Sequence, residues 1–218
     1  FIDGFDKSQK IDSNKGEGLI FIVGMPRSGT TLLESIIGSN DNVISGGELT
    51  SMHQLSGYYY LDEQEDAMLE RHGNRNIGDI YLNRISFIKD DKRFFIDKLP
   101  GNYHNIGFIK KFLPAAKIIY IKRNIWDIAT SIYKQFYVNN IPYAASFFNI
   151  AVNIANHEEL IRFWGSEMSY DFMTVEYEEL VSDTGNVANK IFKYCGIDGN
   201  YNEDTRKNFF SRTASKSQ

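Results

Sequence analysis

One segment limits the possible folds more than any other. The apolar run Leu19-Ile20-Phe21-Ile22-Val23 passes directly into Gly24-Met25-Pro26-Arg27-Ser28-Gly29-Thr30-Thr31, and a helical pattern follows over Thr31–Gly38. An uninterrupted apolar run of strand length suits a strand buried on both faces, which is the condition of strands in parallel sheets. A strand that turns through a Gly-, Ser- and Thr-rich loop into a helix presents unpaired backbone N–H groups at the helix N-terminus, where the helix dipole also favours an anion. Gly29 permits close backbone approach, Thr30 and Thr31 offer hydroxyls, and Arg27 supplies a forked, permanently charged donor at the apex. The loop lacks the Gly-Lys-Ser/Thr ending of a Walker A sequence, which disfavours a magnesium-dependent NTPase or a small-molecule P-loop kinase.

Further strand-like runs are Arg93–Ile96, Lys117–Lys122 and Phe172–Glu176, and helical patterns cover Asn102–Phe112 and Trp126–Tyr137. Alternation of this kind predicts an α/β fold, a P-loop-type parallel sheet flanked by helices. Between Leu19–Val23 and Arg93–Ile96, roughly residues 48–90 read as a helical insertion after the first βα unit, with helices over Glu63–Arg71 and Gly78–Ile88. Asn149–Trp164 and Asn186–Tyr194 are further helices, and Pro100, Pro114 and Pro142 fall at element boundaries. Residues 1–18 are polar and lack an apolar core, so they read as a leader or linker and not as a signal peptide, leaving residues 19–218 as one domain.

A chain of 218 residues buries about 70% of its unfolded surface and needs no metal or disulfide staple. Its single cysteine, Cys195, has no intrachain partner, which suits a reducing compartment and a cytoplasmic location. A net charge of −4 argues against a nucleic-acid binder. The longest apolar run is far too short to span a bilayer. The four histidines, His53, His72, His104 and His157, are scattered without metal-ligand spacing.

A second anion signature follows Ile118-Ile119-Tyr120-Ile121-Lys122-Arg123. A basic residue at the carboxyl end of a parallel strand sits where open α/β sheets bind ligands. Ser131 stands eight positions after Arg123, so two helical turns return its hydroxyl to the same mouth. For proton transfer, Gly46-Gly47-Glu48-Leu49 places a carboxylate on a tight turn after the short run Asn42–Ser45. Glu48 is alternatively a surface residue capping the next helix. Lys98 ends the strand in Phe95-Ile96-Asp97-Lys98-Leu99-Pro100 and is alternatively the salt-bridge partner of Asp97 or a neighbour.

These segments together resemble the sulfotransferases that use 3′-phosphoadenosine-5′-phosphosulfate (PAPS). They are most similar to the tyrosylprotein sulfotransferases and to bacterial sulfotransferases linked to tetratricopeptide repeats. The resemblance implies that Arg27, Ser28, Gly29, Thr30 and Thr31 hold the 5′-phosphosulfate, and that Arg123 and Ser131 hold the 3′-phosphate. It implies Glu48 as the base, at the family's spacing of twenty-one positions after Arg27, with Lys98 stabilising the leaving group and Arg27 sharing in the chemistry. Tyr177 matches a position near the nucleotide, although it could equally be core. Ser215, in Arg212–Gln218, matches a C-terminal segment that touches PAPS, whose Pro-containing continuation is absent, so that lid is expected to be incomplete. The resemblance further implies that the products are PAP and a sulfated hydroxyl on a peptide tyrosine, a carbohydrate or a small molecule, with no metal required. A catalytically silent PAP-binding module is the alternative, disfavoured by the retention of Glu48 and Lys98.

Overall fold

A computed structural model describes residues 12–61, 76–139, 142–167 and 171–207. Five parallel strands form one sheet in the order β2-β3-β1-β4-β5: β1 Leu19–Gly24, β2 Val43–Ser45, β3 Phe94–Lys98, β4 Lys117–Lys122 and β5 Phe172–Glu176. β1 lies in the middle and is buried along its whole length, as its unbroken apolar sequence requires. It pairs with β3 on one side (Ile22 opposite Lys98) and β4 on the other (Gly24 opposite Ile121). The α/β reading therefore holds, and the carboxyl ends of the three central strands carry the phosphate-loop glycine, Lys98 and the approach to Arg123.

Because strand side chains alternate between faces, the sheet sorts its core into two layers. Leu19, Phe21, Val23, Phe95, Ile118 and Tyr120 pack on one face. There they meet α2 (Ser51–Leu61), α3 (Ile77–Lys89), a 3₁₀ turn (Pro100–Asn105) and α4 (Ile106–Phe112). Ile20, Ile22, Phe94, Ile96, Ile119 and Ile121 pack on the other, against α1 (Thr30–Ile37) and the helix Thr184–Cys195. A third cluster joins Met25 of the loop to Ile128, Ala129 and Ile132 of α5 (Ile125–Asn139) and to Ile150 and Ile154 of α6 (Phe147–Glu167). The helix Thr184–Cys195 is α8; further helices are α7 (Tyr177–Ser182) and α9 (Glu203–Lys207), and a second 3₁₀ turn covers Pro142–Ala145.

The helical insertion begins only after β2, a three-residue strand too short to show a pattern in the sequence. The expected Asn102–Phe112 helix divides into the 3₁₀ turn and α4, since Pro100 opens a tighter turn that crosses over β1. Residues 12–18, read as part of a leader, run in turns against the domain, where Lys15 pairs with Asp79 at 2.8 Å and accepts a backbone bond from Ala115. The expected Glu63–Arg71 helix, His72 and Ser215 lie outside the described residues.

Candidate active site

The turn between β1 and α1 is held in an uncommon backbone shape. Arg27 has φ 72° and Gly29 φ 104°, both in the left-handed region. A non-glycine residue there is strained by on the order of 1–3 kcal/mol, and such strain gathers at functional loops. Gly29 is required twice over, because a Cβ at this position would also stand 2.4 Å from the Tyr177 ring. The turn closes with Ser28 N–H donating to the Met25 carbonyl at 3.1 Å. Ser28 is fully buried, yet its hydroxyl meets no hydrogen-bond partner. Thr30 is buried and Thr31 exposed at the start of α1.

The strand-end cation reaches the same loop. Arg123 Nη1 donates to the Arg27 carbonyl at 3.0 Å, and Arg27 Nε donates to Ser131 Oγ at 3.0 Å. The Arg123 guanidinium lies 4.3 Å above the Tyr177 ring centroid, a cation–π geometry. Asp127 is a loose counter-charge at 3.8 Å, and Arg123 Nε is buried with no partner. Arg27, Arg123 and Ser131 thus converge on one mouth, with Tyr177 packed under both the arginine and the loop glycine.

The third group is built by the pleat. Lys98 follows Phe94 and Ile96 on the α1 side of the sheet, so its side chain runs toward that helix, with only 4% exposed. Nζ lies 2.6 Å from Glu48 Oε1 and 3.6 Å from Glu34 Oε2. Glu48 is delivered by the turn after β2, where Gly47 takes φ 68°, Lys98 N–H donates to the Gly47 carbonyl at 2.9 Å, and Gly46 N–H donates to Ile96. Glu48 is 45% exposed. Glu34, on α1, accepts a short hydrogen bond from Ser45 Oγ, which itself accepts from Gly47 N–H at 3.1 Å. Burial pushes the Glu34 carboxyl above the usual carboxylate range, opposed by Ser45 and Lys98.

Asp97 points to the opposite face and is not the partner of Lys98. It accepts from Tyr81 Oη at 2.7 Å and Asn102 Nδ2 at 3.3 Å, and Asn102 connects through Asn105 to Ser56 of α2. Burial raises it to about 7. Of the histidines, His157 is buried edge-on against Tyr103, with Nε2 unpartnered, and burial lowers it to about 4. His104 also packs against Tyr103, with ring centroids 4.0 Å apart, and burial lowers it too. No group of three potential metal ligands occurs among the described residues.

Glu34 and Ser45 were not singled out from the sequence. A signal existed: Glu34 falls among Leu33, Ile36 and Ile37 on the inward side of α1, and an acidic residue on a buried face needs a buried partner.

The chain as a whole has counterparts among known proteins. A sequence model of the sulfotransferase family matches residues 20–203. An uncharacterised protein of Aquifex aeolicus (strain VF5) is 28% identical over 192 residues, which is 82% of this chain and 25% of that protein. A protein-tyrosine sulfotransferase of Drosophila melanogaster is 26% identical over 211 residues, covering 89% and 41% respectively. The chain thus spans less than half the length of either relative. In three dimensions it resembles the sulfotransferase domain of the Synechococcus PCC 7002 olefin synthase, with a TM-score of 0.67 at 22% identity over 95% of this chain and 82% of that one. It also resembles a mouse sulfotransferase complexed with PAP, with a TM-score of 0.58 at 19% identity over 92% and 68%.

Proposed function

This chain belongs to the sulfotransferase family, and on that premise we propose that it moves the sulfuryl group of PAPS to an acceptor hydroxyl. One observation carries the reading. The loop that holds the buried, unpartnered Ser28 hydroxyl is tied by Arg27 to Ser131 and by its carbonyl to Arg123. Two anion-binding elements, one at a helix start and one at a strand end, therefore share a mouth, as a nucleotide with two separate phosphate groups requires. The unpartnered polar atoms, Ser28 Oγ and Arg123 Nε, fit such a ligand because a buried donor without a partner costs about 1–3 kcal/mol. Gly29, Thr30 and Thr31 complete the loop's contacts to the 5′-phosphosulfate, and Tyr177 supports the arginine of the 3′-phosphate.

The chemistry is an in-line displacement. The acceptor oxygen bonds to sulfur as its proton passes to the Glu48 carboxylate. The bond from sulfur to the bridging oxygen breaks, and its electron pair stays on the phosphate of PAP. Lys98 faces that developing charge from a site with little water, where an ammonium is most effective, and Arg27 adds a second cation. The reading assigns no metal. It places the chain in the cytoplasm, where the buried free thiol of Cys195 stays reduced. No described helix is long and apolar enough to cross a membrane.

The acceptor is a peptide tyrosine, a carbohydrate or a small phenol, and the Drosophila relative puts tyrosine peptides first in a screen. PAP is expected to stabilise the fold by about 2.7 kcal/mol at a hundredfold excess over its dissociation constant, with or without magnesium, and AMP far less. Equal thermal shifts with the two nucleotides would overturn the two-phosphate reading.

A further inference from the structure

We infer that Glu34 is a positioning residue, which keeps Lys98 charged and aligned when Glu48 turns to the acceptor. The inference rests on the roles given above to Lys98 and Glu48.

Lys98 has two carboxylate neighbours of opposite character. Glu48 is the closer, at 2.6 Å, but it is half exposed on a glycine turn. Glu34 is at 3.6 Å, only 7% exposed, and fixed on α1. A base must leave its resting partner to receive a proton, so the Glu48–Lys98 pair cannot persist through the reaction. A buried ammonium deprived of its only counter-charge favours the neutral amine. Glu34 prevents this, because it remains when Glu48 leaves.

The same carboxylate also fixes the turn that carries the base. Glu34 holds Ser45, Ser45 holds the Gly47 N–H, and Gly47 immediately precedes Glu48. The Gly47 carbonyl in turn receives the Lys98 backbone N–H. One buried side chain thereby sets the lysine and the turn of its opposing carboxylate in a common frame. The charged groups facing it are few. β3 offers Lys98 and, across the strand, Asp97; the turn after β2 offers Glu48. In this layer β1 and α8 contribute apolar residues, Ile20, Ile22, Val187 and Ile191 among them.

The test compares Glu34→Gln and Ser45→Ala with the unmodified chain. It measures single-turnover transfer from radiolabelled PAPS to the fastest of three acceptors: a tyrosine peptide, p-nitrophenol and a glucoside. PAP affinity is measured in parallel. For Glu34→Gln, PAP affinity should hold within about twofold while transfer at neutral pH falls about 10–100-fold, as for other losses of alignment. The alkaline limb of its rate profile should move to lower pH, because an ammonium that has lost its fixed counter-charge gives up its proton more readily. For Ser45→Ala the rate should fall several-fold, about 3–10-fold, with the alkaline limb unmoved. Wild-type rate and limb in Glu34→Gln would overturn the role of Glu34. A slowed Glu34→Gln with an unmoved limb would overturn its hold on Lys98, leaving only the turn. If Glu34→Gln does not fold, Ser45→Ala decides: slowed transfer at unchanged PAP affinity supports the frame, and an unchanged rate overturns it. A wild-type chain that transfers to none of the acceptors takes the functional reading down as well, so the two failures are told apart.

Discussion

Glu48 and Lys98 touch, but one is half exposed and the other buried, and this asymmetry separates their roles. Glu48 can leave the pair without dragging buried structure with it, which suits a base that meets an incoming acceptor. Glu48→Gln keeps size and shape while removing the proton-accepting charge. We expect unchanged PAP affinity and single-turnover transfer reduced about 10²–10⁴-fold. A variant that transfers at the wild-type rate would move the search for the base to His53 or His104, and one that loses PAP would make Glu48 structural. Combining it with Lys98→Ala should cost less than the sum of the two, since both act on one transition state. Both residues were legible from chain position: a carboxylate after paired glycines and a lysine at a strand end. Their partnership was not, because it depends on the pleat. Asp97 and Lys98 are neighbours in sequence, but strand alternation sends one to Tyr81 and the other to Glu34 and Glu48.

At the scale of elements, the β1–loop–α1 unit is the most legible part, since every local requirement agrees. An apolar strand, a turn with left-handed residues and a helix start follow in order. Its dependence on α7 was not legible, because Tyr177 arrives from a distant part of the chain to pack on Gly29. Gly29→Ala should therefore be far more damaging than a loop substitution suggests. It places a side chain at φ 104° and a Cβ 2.4 Å from a ring that also supports Arg123. We expect a loss of roughly 1–3 kcal/mol from backbone strain alone, together with loss of PAP binding. Gly185→Ala is the control, since nothing lies within 4 Å of its Cβ. Equal melting temperatures and PAP affinities for the two variants would contradict this account. β2 was legible only as the short run Asn42–Ser45, because three residues carry no periodicity, and α2 only as part of the helical stretch 48–90, because its serines, glycine and tyrosines form no apolar stripe that would mark it as a separate helix. Both are organised by what they pack against, β2 by β3 and α2 by the Ser56–Asn105 bond.

For the whole molecule, two buried ionisable groups on one side of the sheet oppose each other in acid. His157 is held near 4, chiefly by burial, whereas unfolded histidine titrates near 6.5. Between these values the unfolded chain binds the extra proton, so stability rises with pH, by at most about 3 kcal/mol. Asp97 is raised to about 7 from 3.8, again chiefly by burial. Between those values the folded chain binds the extra proton, so stability falls as pH rises, by at most about 4 kcal/mol. From pH 4 to 6.5 the two slopes have opposite sign and similar size. The native chain should be flatter over this interval than either group alone would make it. Asp97→Asn removes the falling contribution, so its stability relative to wild type should climb as pH is raised. His157→Phe removes the rising contribution, so its relative stability should decline. The double variant should run nearly parallel to wild type. Urea midpoints across this range measure all four, and only slopes matter, because packing changes caused by either substitution shift each curve as a whole. Single variants whose curves stay parallel to wild type would show that neither group carries a shifted proton in the folded chain.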